Sequence, residues 1–263
     1  MKVLKNKKLP YIPEIKQKID DTSDLPYIPA SPLGQKSCAY YVCGNVGSGK
    51  TSTVVSLLTS HPTKKNPTIP KFLYRFYDHV YIISPSMKTL PLSKLRISDD
   101  RLFSKYSDSV LEEIIETEQD SENLNNMIWM DDCIRDLTKS KILCKTILNR
   151  RHCTQNDELE NQSGLTIFIS SQKYNGLPLI HRTNMSHFIL FATKNQKELN
   201  AIREELMGDL NADQQKKVLK LAWSEPYSFL FIDGTKPRDD RYYKNFDKIV
   251  FDEETDSDDD FFD

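Results

Sequence analysis

The chain has 263 residues, of which 38% are hydrophobic and 28% charged, with a formal net charge of −2. That length suits one α/β domain with flexible ends better than two full domains, and no apolar run approaches the roughly 20 residues that span a bilayer, which argues against an integral membrane protein. Residues 252–263 carry eight of the 38 acidic groups and no Lys or Arg, so the remainder holds 36 basic against 30 acidic groups, a mildly basic body compatible with a nucleic-acid partner but not requiring one.

Residues 1–36 hold five of the 13 prolines and a repeated pentapeptide, Leu9-Pro10-Tyr11-Ile12-Pro13 and Leu25-Pro26-Tyr27-Ile28-Pro29. Proline fixes φ and removes a donor, so an extended arm is expected, its Tyr-Ile pairs clipping either onto the same chain or onto a neighbouring subunit. Lys2, Lys5, Lys7 and Lys8 are not followed by an apolar stretch, so no secretory leader is expected. Cys38, Cys43, Cys133, Cys144 and Cys153 lack CxxC and zinc-finger spacing, which points to buried thiols in an intracellular, reducing compartment and to no structural zinc.

From Cys38 onward, short apolar runs alternate with helical periodicity. Strands are expected at 39–43, 80–84, 127–131, 165–170, 187–191 and 229–233, and helices at 50–59, 108–118, 139–150, 196–207 and 212–223. Strands that are apolar along their whole length, alternating with helices, predict a largely parallel sheet covered on both faces, with a mixed edge near the C-terminus. Residues 37–251 are expected to form this α/β domain. The tail, 252–263, is too charged to pack and reads either as a solubilising segment or as a docking peptide presenting Phe261 and Phe262.

Between the first strand and the first helix stands Gly44-Asn45-Val46-Gly47-Ser48-Gly49-Lys50-Thr51, which satisfies GxxxxGK[ST] and contains three of the chain's eight glycines. Such a loop turns successive N–H groups toward phosphate oxygens, and the N-terminus of the next helix, through Ser52, adds positive dipole to the cradle. The motif therefore predicts ATP binding, with Lys50 on the β and γ phosphates and the Thr51 hydroxyl on Mg²⁺.

The run Met127-Ile128-Trp129-Met130 ends in Asp131 and Asp132. Asp131 suits the hydration shell of Mg²⁺, and Asp132 a carboxylate that orients and deprotonates the attacking water. A further apolar run ends in Ser170-Ser171-Gln172, whose amide either hydrogen-bonds the attacking water and the γ-phosphate or caps a turn. Charge on a transferring phosphoryl group calls for an arginine. Arg150, Arg151 and Arg182 are available, each alternatively a plain surface charge.

In this order the elements resemble the poxvirus-type DNA-packaging ATPases of the FtsK/HerA superfamily, found in nucleocytoplasmic large DNA viruses and virophages. The elements are the P-loop, Val80-Tyr81-Ile82-Ile83-Ser84-Pro85-Ser86, the Asp-Asp strand, Arg151-His152, the strand ending in Gln172, and Pro178 followed by Arg182 and Asn184. The resemblance spans 38–247 and includes Phe229-Leu230-Phe231-Ile232-Asp233 and Tyr242-Tyr243-Lys244-Asn245-Phe246. It implies a three-layer, RecA-like P-loop NTPase and an ATP- and Mg²⁺-dependent translocase that packages double-stranded DNA into a preformed capsid. It also implies the Walker B acids Asp131 and Asp132, the sensor Gln172, and an arginine finger, Arg182 or else Arg151, in a ring of identical subunits. The wider superfamily usually has Glu where Asp132 stands; the Asp-Asp pair resembles the packaging branch.

A capsid or portal protein engaged through the arm or tail is a further implied partner, in the host cytoplasm, the virus factory or the virion. Residues 62–75, with Lys64, Lys65, Lys71 and Arg75, are one option for the DNA contact, a charged solvent loop being the other. Competing functions are a small-molecule P-loop kinase, a nucleotide-dependent scaffold or switch, and another DNA-processing motor.

Overall fold

A computed structural model describes residues 25–122, 125–155 and 163–251. The first pentapeptide copy, Leu9 to Pro13, and the acidic tail with Phe261 and Phe262 lie outside the described residues.

The strands are β1 (Ala39–Cys43), β2 (His79–Ile83), β3 (Leu102–Phe103), β4 (Asn125–Asp131), β5 (Gly164–Ser171), β6 (His187–Phe191), β7 (Phe229–Asp233), β8 (Tyr242–Lys244) and β9 (Asp247–Lys248). Every residue of β1, β4, β5, β6 and β7 is buried, as their apolar runs require of strands covered on both faces. They form one sheet in the order β3-β2-β4-β5-β1-β6-β7-β8-β9. Neighbours are parallel from β3 to β6 and antiparallel from β6 to β9, so the expected mixed edge is present.

Alternation along β1 divides the core into two layers. Tyr40 and Val42 pack with Val54 and Leu57 of α1 (Lys50–Thr59), Trp129, Phe168 and Phe231. Ala39, Tyr41 and Cys43 face the other layer, where α3 (Asp108–Gln119), α5 (Leu143–Asn149), α7 (Gln196–Leu206) and α8 (Ala212–Ala222) bury Leu111, Ile147, Ile202 and Leu219. The result is the expected α/β three-layer sandwich. Among the described residues no helix is long and apolar enough to cross a membrane.

The α1 face has the fewer long helices, and the arm helps to cover it. Tyr27 donates from its hydroxyl to the Phe72 and Tyr74 carbonyls, each at 3.0 Å, and meets Phe76 edge-on at 5.4 Å. The Lys71 ammonium sits 3.7 Å above the Tyr27 ring. The second pentapeptide therefore clips onto its own domain through Tyr27, while Ile28 stays 64% exposed.

The helix expected at 139–150 is corrected. Helical structure instead falls in α4 (Ile134–Leu137) and α5, separated by a turn. Asp108 accounts for the break: its carboxylate accepts from the Ser140 hydroxyl and from the Lys141 N–H at 2.9 Å, while Ser140 Oγ accepts from the Leu143 N–H at 3.0 Å. Side-chain acceptors thus take N–H groups that a continuous helix would bond internally. The short α2 (Leu92–Leu95) and α6 (Leu179–Arg182) were not expected, nor were β3, β8 and β9, all too brief to show a period.

Candidate active site

The loop after β1 is built on glycine. Gly47 and Gly49 have φ of 76° and 107°, in the left-handed region where a side chain is strained. A Cβ on Gly44 would come within 2.6 Å of Phe191 Cβ, so only glycine lets the loop pass that strand. The Gly44 N–H donates to the Ser171 carbonyl at 3.1 Å, fastening the loop to the end of β5.

Helix α1 starts at Lys50 with no side-chain cap and no acid in its first turn, whereas α3, α7 and α8 are capped by Ser107, Asn195 and Asn211. Its leading N–H groups are not taken by a capping side chain and can meet an anion. The Ser48 hydroxyl, buried in the loop, has no hydrogen-bond partner among the described residues, a donor that a phosphate oxygen would satisfy. Lys50 is only 7% exposed and donates to the Gly44 and Asn45 carbonyls at 2.7 and 3.2 Å, which keeps its ammonium inside the loop. Val46, at the loop's tip, is 79% exposed.

Register brings the acids to the same edge of the sheet. Cys43 lies opposite Ser171 and Asp131 opposite Ser170, so β5, with Gln172 directly after its last residue, stands between the P-loop strand and the Asp131 strand. The site thus occupies the carboxyl ends of adjacent parallel strands, where open α/β sheets bind ligands.

Asp131 is buried, and that burial, reinforced by the Asp132 charge, pushes its carboxyl up to about 6 despite a Ser170 hydrogen bond and the Lys50 charge. Trp129 Nε1 donates to Ser170 Oγ at 2.9 Å and fixes that neighbour. Asp132 is exposed and left-handed, with φ 53°, a strained posture of the kind that collects at functional sites. The Gln172 amide donates to Asp132 Oδ1 at 3.5 Å, so the structure brings these two predicted residues together.

No group of three or more His, Cys, Asp or Glu side chains gathers as a metal cage among the described residues. The Thr51 hydroxyl and the Asp131 carboxylate are instead the sparse, hard-oxygen donor set that suits Mg²⁺, which keeps waters and takes phosphate oxygens alongside one or two protein ligands.

One part of the site was not foreseen. Beside the loop lies a cavity of about 660 Å³, lined by Thr51, Ser52 and Ser56 of α1 and by Phe72, Tyr227, Phe229 and Phe246. Tyr227 is 73% exposed and left-handed at φ 64°. Flat aromatic walls beside a phosphate cradle suit a nucleobase, which stacks on them whatever its edge carries.

The arginines fare differently. Arg182 is buried and paired with Glu205, through Nε at 2.9 Å and Nη2 at 2.5 Å, while Nη1 donates to the Leu177 carbonyl. Its guanidinium also lies 4.9 Å from the Tyr174 ring centre, so it holds α6 against α7. Arg150 donates to the Ser37 and Ile147 carbonyls at 2.6 and 2.8 Å, and its own carbonyl accepts from Leu165 N–H at the start of β5. Arg151 is exposed next to it, at the opposite end of β5 from Gln172.

No family model matches the chain, and no curated protein matches it in sequence. Solved structures do share its fold. The genome packaging NTPase B204 from Sulfolobus turreted icosahedral virus 2, in complex with AMPPCP, is 15% identical with a TM-score of 0.54, over 82% of this chain and 100% of that one. The pCW3 conjugation coupling protein TcpA, a monomer with ATPgS, is 13% identical with a TM-score of 0.52, over 93% of this chain and 70% of that one. EssC (ATPases 2 and 3) from Geobacillus thermodenitrificans is 12% identical with a TM-score of 0.51, over 83% of this chain and 41% of that one. The protein has the mixed α/β, P-loop NTPase fold that these proteins share.

Proposed function

We propose that this chain hydrolyses ATP to move double-stranded DNA into a preformed viral capsid, acting as a ring of identical subunits inside the infected cell. The observation that carries the reading is the convergence of the 44–51 loop, Asp131-Asp132 and Gln172 at the ends of three neighbouring parallel strands. The packaging NTPase with the same fold supports the choice of DNA as the load.

In this reading Lys50 exchanges the Gly44 and Asn45 carbonyls for the β and γ phosphates, and the loop N–H groups and Ser48 hold the same oxygens. Thr51 and Asp131 hold Mg²⁺, which when bound neutralises charge on the phosphates. Asp132 takes the proton of the attacking water, and the Gln172 amide beside it positions that water. The base stacks on Tyr227 and Phe246. Because Arg182 is committed to Glu205, Arg151 of a neighbouring subunit is the arginine that meets the transferring phosphoryl group. The arm and the acidic tail remain for a capsid or portal partner.

A triplex-displacement assay tests the function. An ATP-driven motor running along duplex DNA strips a third strand from its path, and the protein is expected to do so with ATP but not with a non-hydrolysable analogue. ATP hydrolysis with no displacement would reject translocation and leave a nucleotide-dependent switch.

A further inference from the structure

A second cavity, of about 380 Å³, lies between the end of α1, the 73–80 segment and the turn after α2. Val80 at the start of β2 lines it, and the adjoining Asp78 pairs through its N–H with the Asn125 carbonyl at the start of β4. It therefore lies toward the opposite end of the strands from the P-loop.

Its walls carry Arg75, Lys94, Arg96 and Arg101 against one carboxylate, Asp78, whose Oδ2 accepts from the Asn125 N–H at 3.0 Å. Arg101 is held by His79 Nε2 at 2.7 Å. The side chains of Arg75, Lys94 and Arg96 make no ion pair or hydrogen bond among the described residues. Three unneutralised cations around one concavity raise the potential there and attract an anion.

The backbone fixes two of these residues. Six non-glycine residues have positive φ among those described. Asp132 and Tyr227 belong to the nucleotide site, while Arg75 at 51° and Arg96 at 53° both line this cavity. Arg96 is the left-handed residue that ends α2, its N–H on the Leu92 carbonyl at 3.2 Å, and Arg75 takes the same posture in a turn, so both are held in place by local backbone structure.

The shape of the charge says which anion. Exposed Lys64 and Lys65 extend the basic character along the 61–75 segment beyond the cavity, a track rather than a single convergent pocket. Stacked His61 and Tyr74, with centroids 3.9 Å apart, form a flat wall with the Arg75 guanidinium 5.4 Å from the tyrosine ring centre.

We propose that this cavity and its lysine-bearing rim bind the phosphate backbone of duplex DNA. The proposal rests on the motor reading above and supplies its DNA contact, extending 62–75 with Lys94, Arg96 and Arg101. Contacts of this kind position a duplex without reading its sequence.

The test is duplex affinity by fluorescence anisotropy across a salt series, on the full chain with Arg75→Gly and Arg96→Gly combined. Glycine accepts the left-handed backbone, so the thermal midpoint is expected to hold or rise. The dissociation constant for a random 30-base-pair duplex is expected to rise at least about tenfold, with the log-log salt slope shallower by about two, one counterion per lost phosphate contact. A well-folded variant with unchanged affinity and slope overturns the proposal. The exposed pair Lys94→Gln and Arg96→Gln gives a second route to the same readout should the glycine variant fail to fold. Wild-type protein that binds no duplex removes both this site and the motor reading; wild type that binds while both variants bind equally removes this site alone. Should pyrophosphate raise the midpoint of Lys50→Ala protein but not of Lys50→Ala carrying the cavity substitutions, with duplex affinity unaltered by them, the cavity holds a small polyphosphate and the duplex assignment is wrong.

Discussion

Asp131 pits stability against function. A carboxyl whose folded value is raised from 3.8 to about 6 binds its proton more tightly folded than unfolded, so its contribution to stability is present below pH 3.8 and lost as pH rises through 6. At neutral pH and without Mg²⁺ the buried charge costs about 3 kcal/mol, since each tenfold gain in proton affinity on folding is worth about 1.4 kcal/mol. Asp131→Asn is therefore expected to raise the thermal midpoint of the metal-free protein while abolishing Mg²⁺-dependent hydrolysis; calorimetry and a phosphate-release assay check the two halves. The stabilisation should vanish when the scans are repeated near pH 4.

Tyr227 makes a different prediction. As a wall of the base slot, Tyr227 predicts that Tyr227→Ala raises the KM for ATP by about 5- to 150-fold, the range of a stacking contribution of about 1–3 kcal/mol, and changes kcat little. Initial rates over a range of ATP concentrations separate the two. The P-loop and both acids were legible in the sequence because each is a local pattern, a glycine spacing or an apolar run ended by charge. Tyr227 and Phe246 were not, since sheet order alone carries them to a loop that ends at Thr51. The Arg182 pairing is hidden for the opposite reason: nothing near it in sequence announces Glu205.

At the scale of elements, strand and helix patterns were readable wherever a run was long enough to show its period. Strands β1, β6 and β7 fall at the positions their apolar runs mark, and α1 begins where the glycine-rich loop ends. The failure at 139–150 came from a long-range acceptor, Asp108, that local pattern cannot announce. Asp108→Ala removes the bonds to Ser140 and Lys141, each bond being worth about 1 kcal/mol. It is expected to lower stability by about 1–3 kcal/mol in urea unfolding, with the slope unchanged. A loss below a few tenths would mean that the turn between α4 and α5 forms without the carboxylate.

At the scale of the molecule, the order β4-β5-β1 sets the layout of the site, because it inserts the strand that leads to Gln172 between the strand before the P-loop and the strand that ends in Asp131. The sequence shows which strands exist but not which lie side by side. Exposed Leu148, Leu179 and Ile180, at 55, 54 and 60%, sit on α5 and α6 close in sequence to Arg151 and Arg182, apolar surface that suits the subunit contact of a ring. A trans-acting Arg151 makes a mixing experiment decisive. Lys50→Ala and Arg151→Ala proteins, each inactive alone, are expected to recover hydrolysis when co-assembled, because some interfaces pair an intact P-loop with an intact arginine. No recovery in mixed rings would assign the arginine elsewhere.

A DNA motor requires that hydrolysis at this P-loop be coupled to DNA. Phosphate release by the assembled protein, with and without double-stranded DNA and beside Lys50→Ala, tests it most directly. Release that rises several-fold with DNA and disappears in Lys50→Ala is the predicted result. Wild-type release that DNA leaves unchanged, or release that survives in Lys50→Ala, would contradict it.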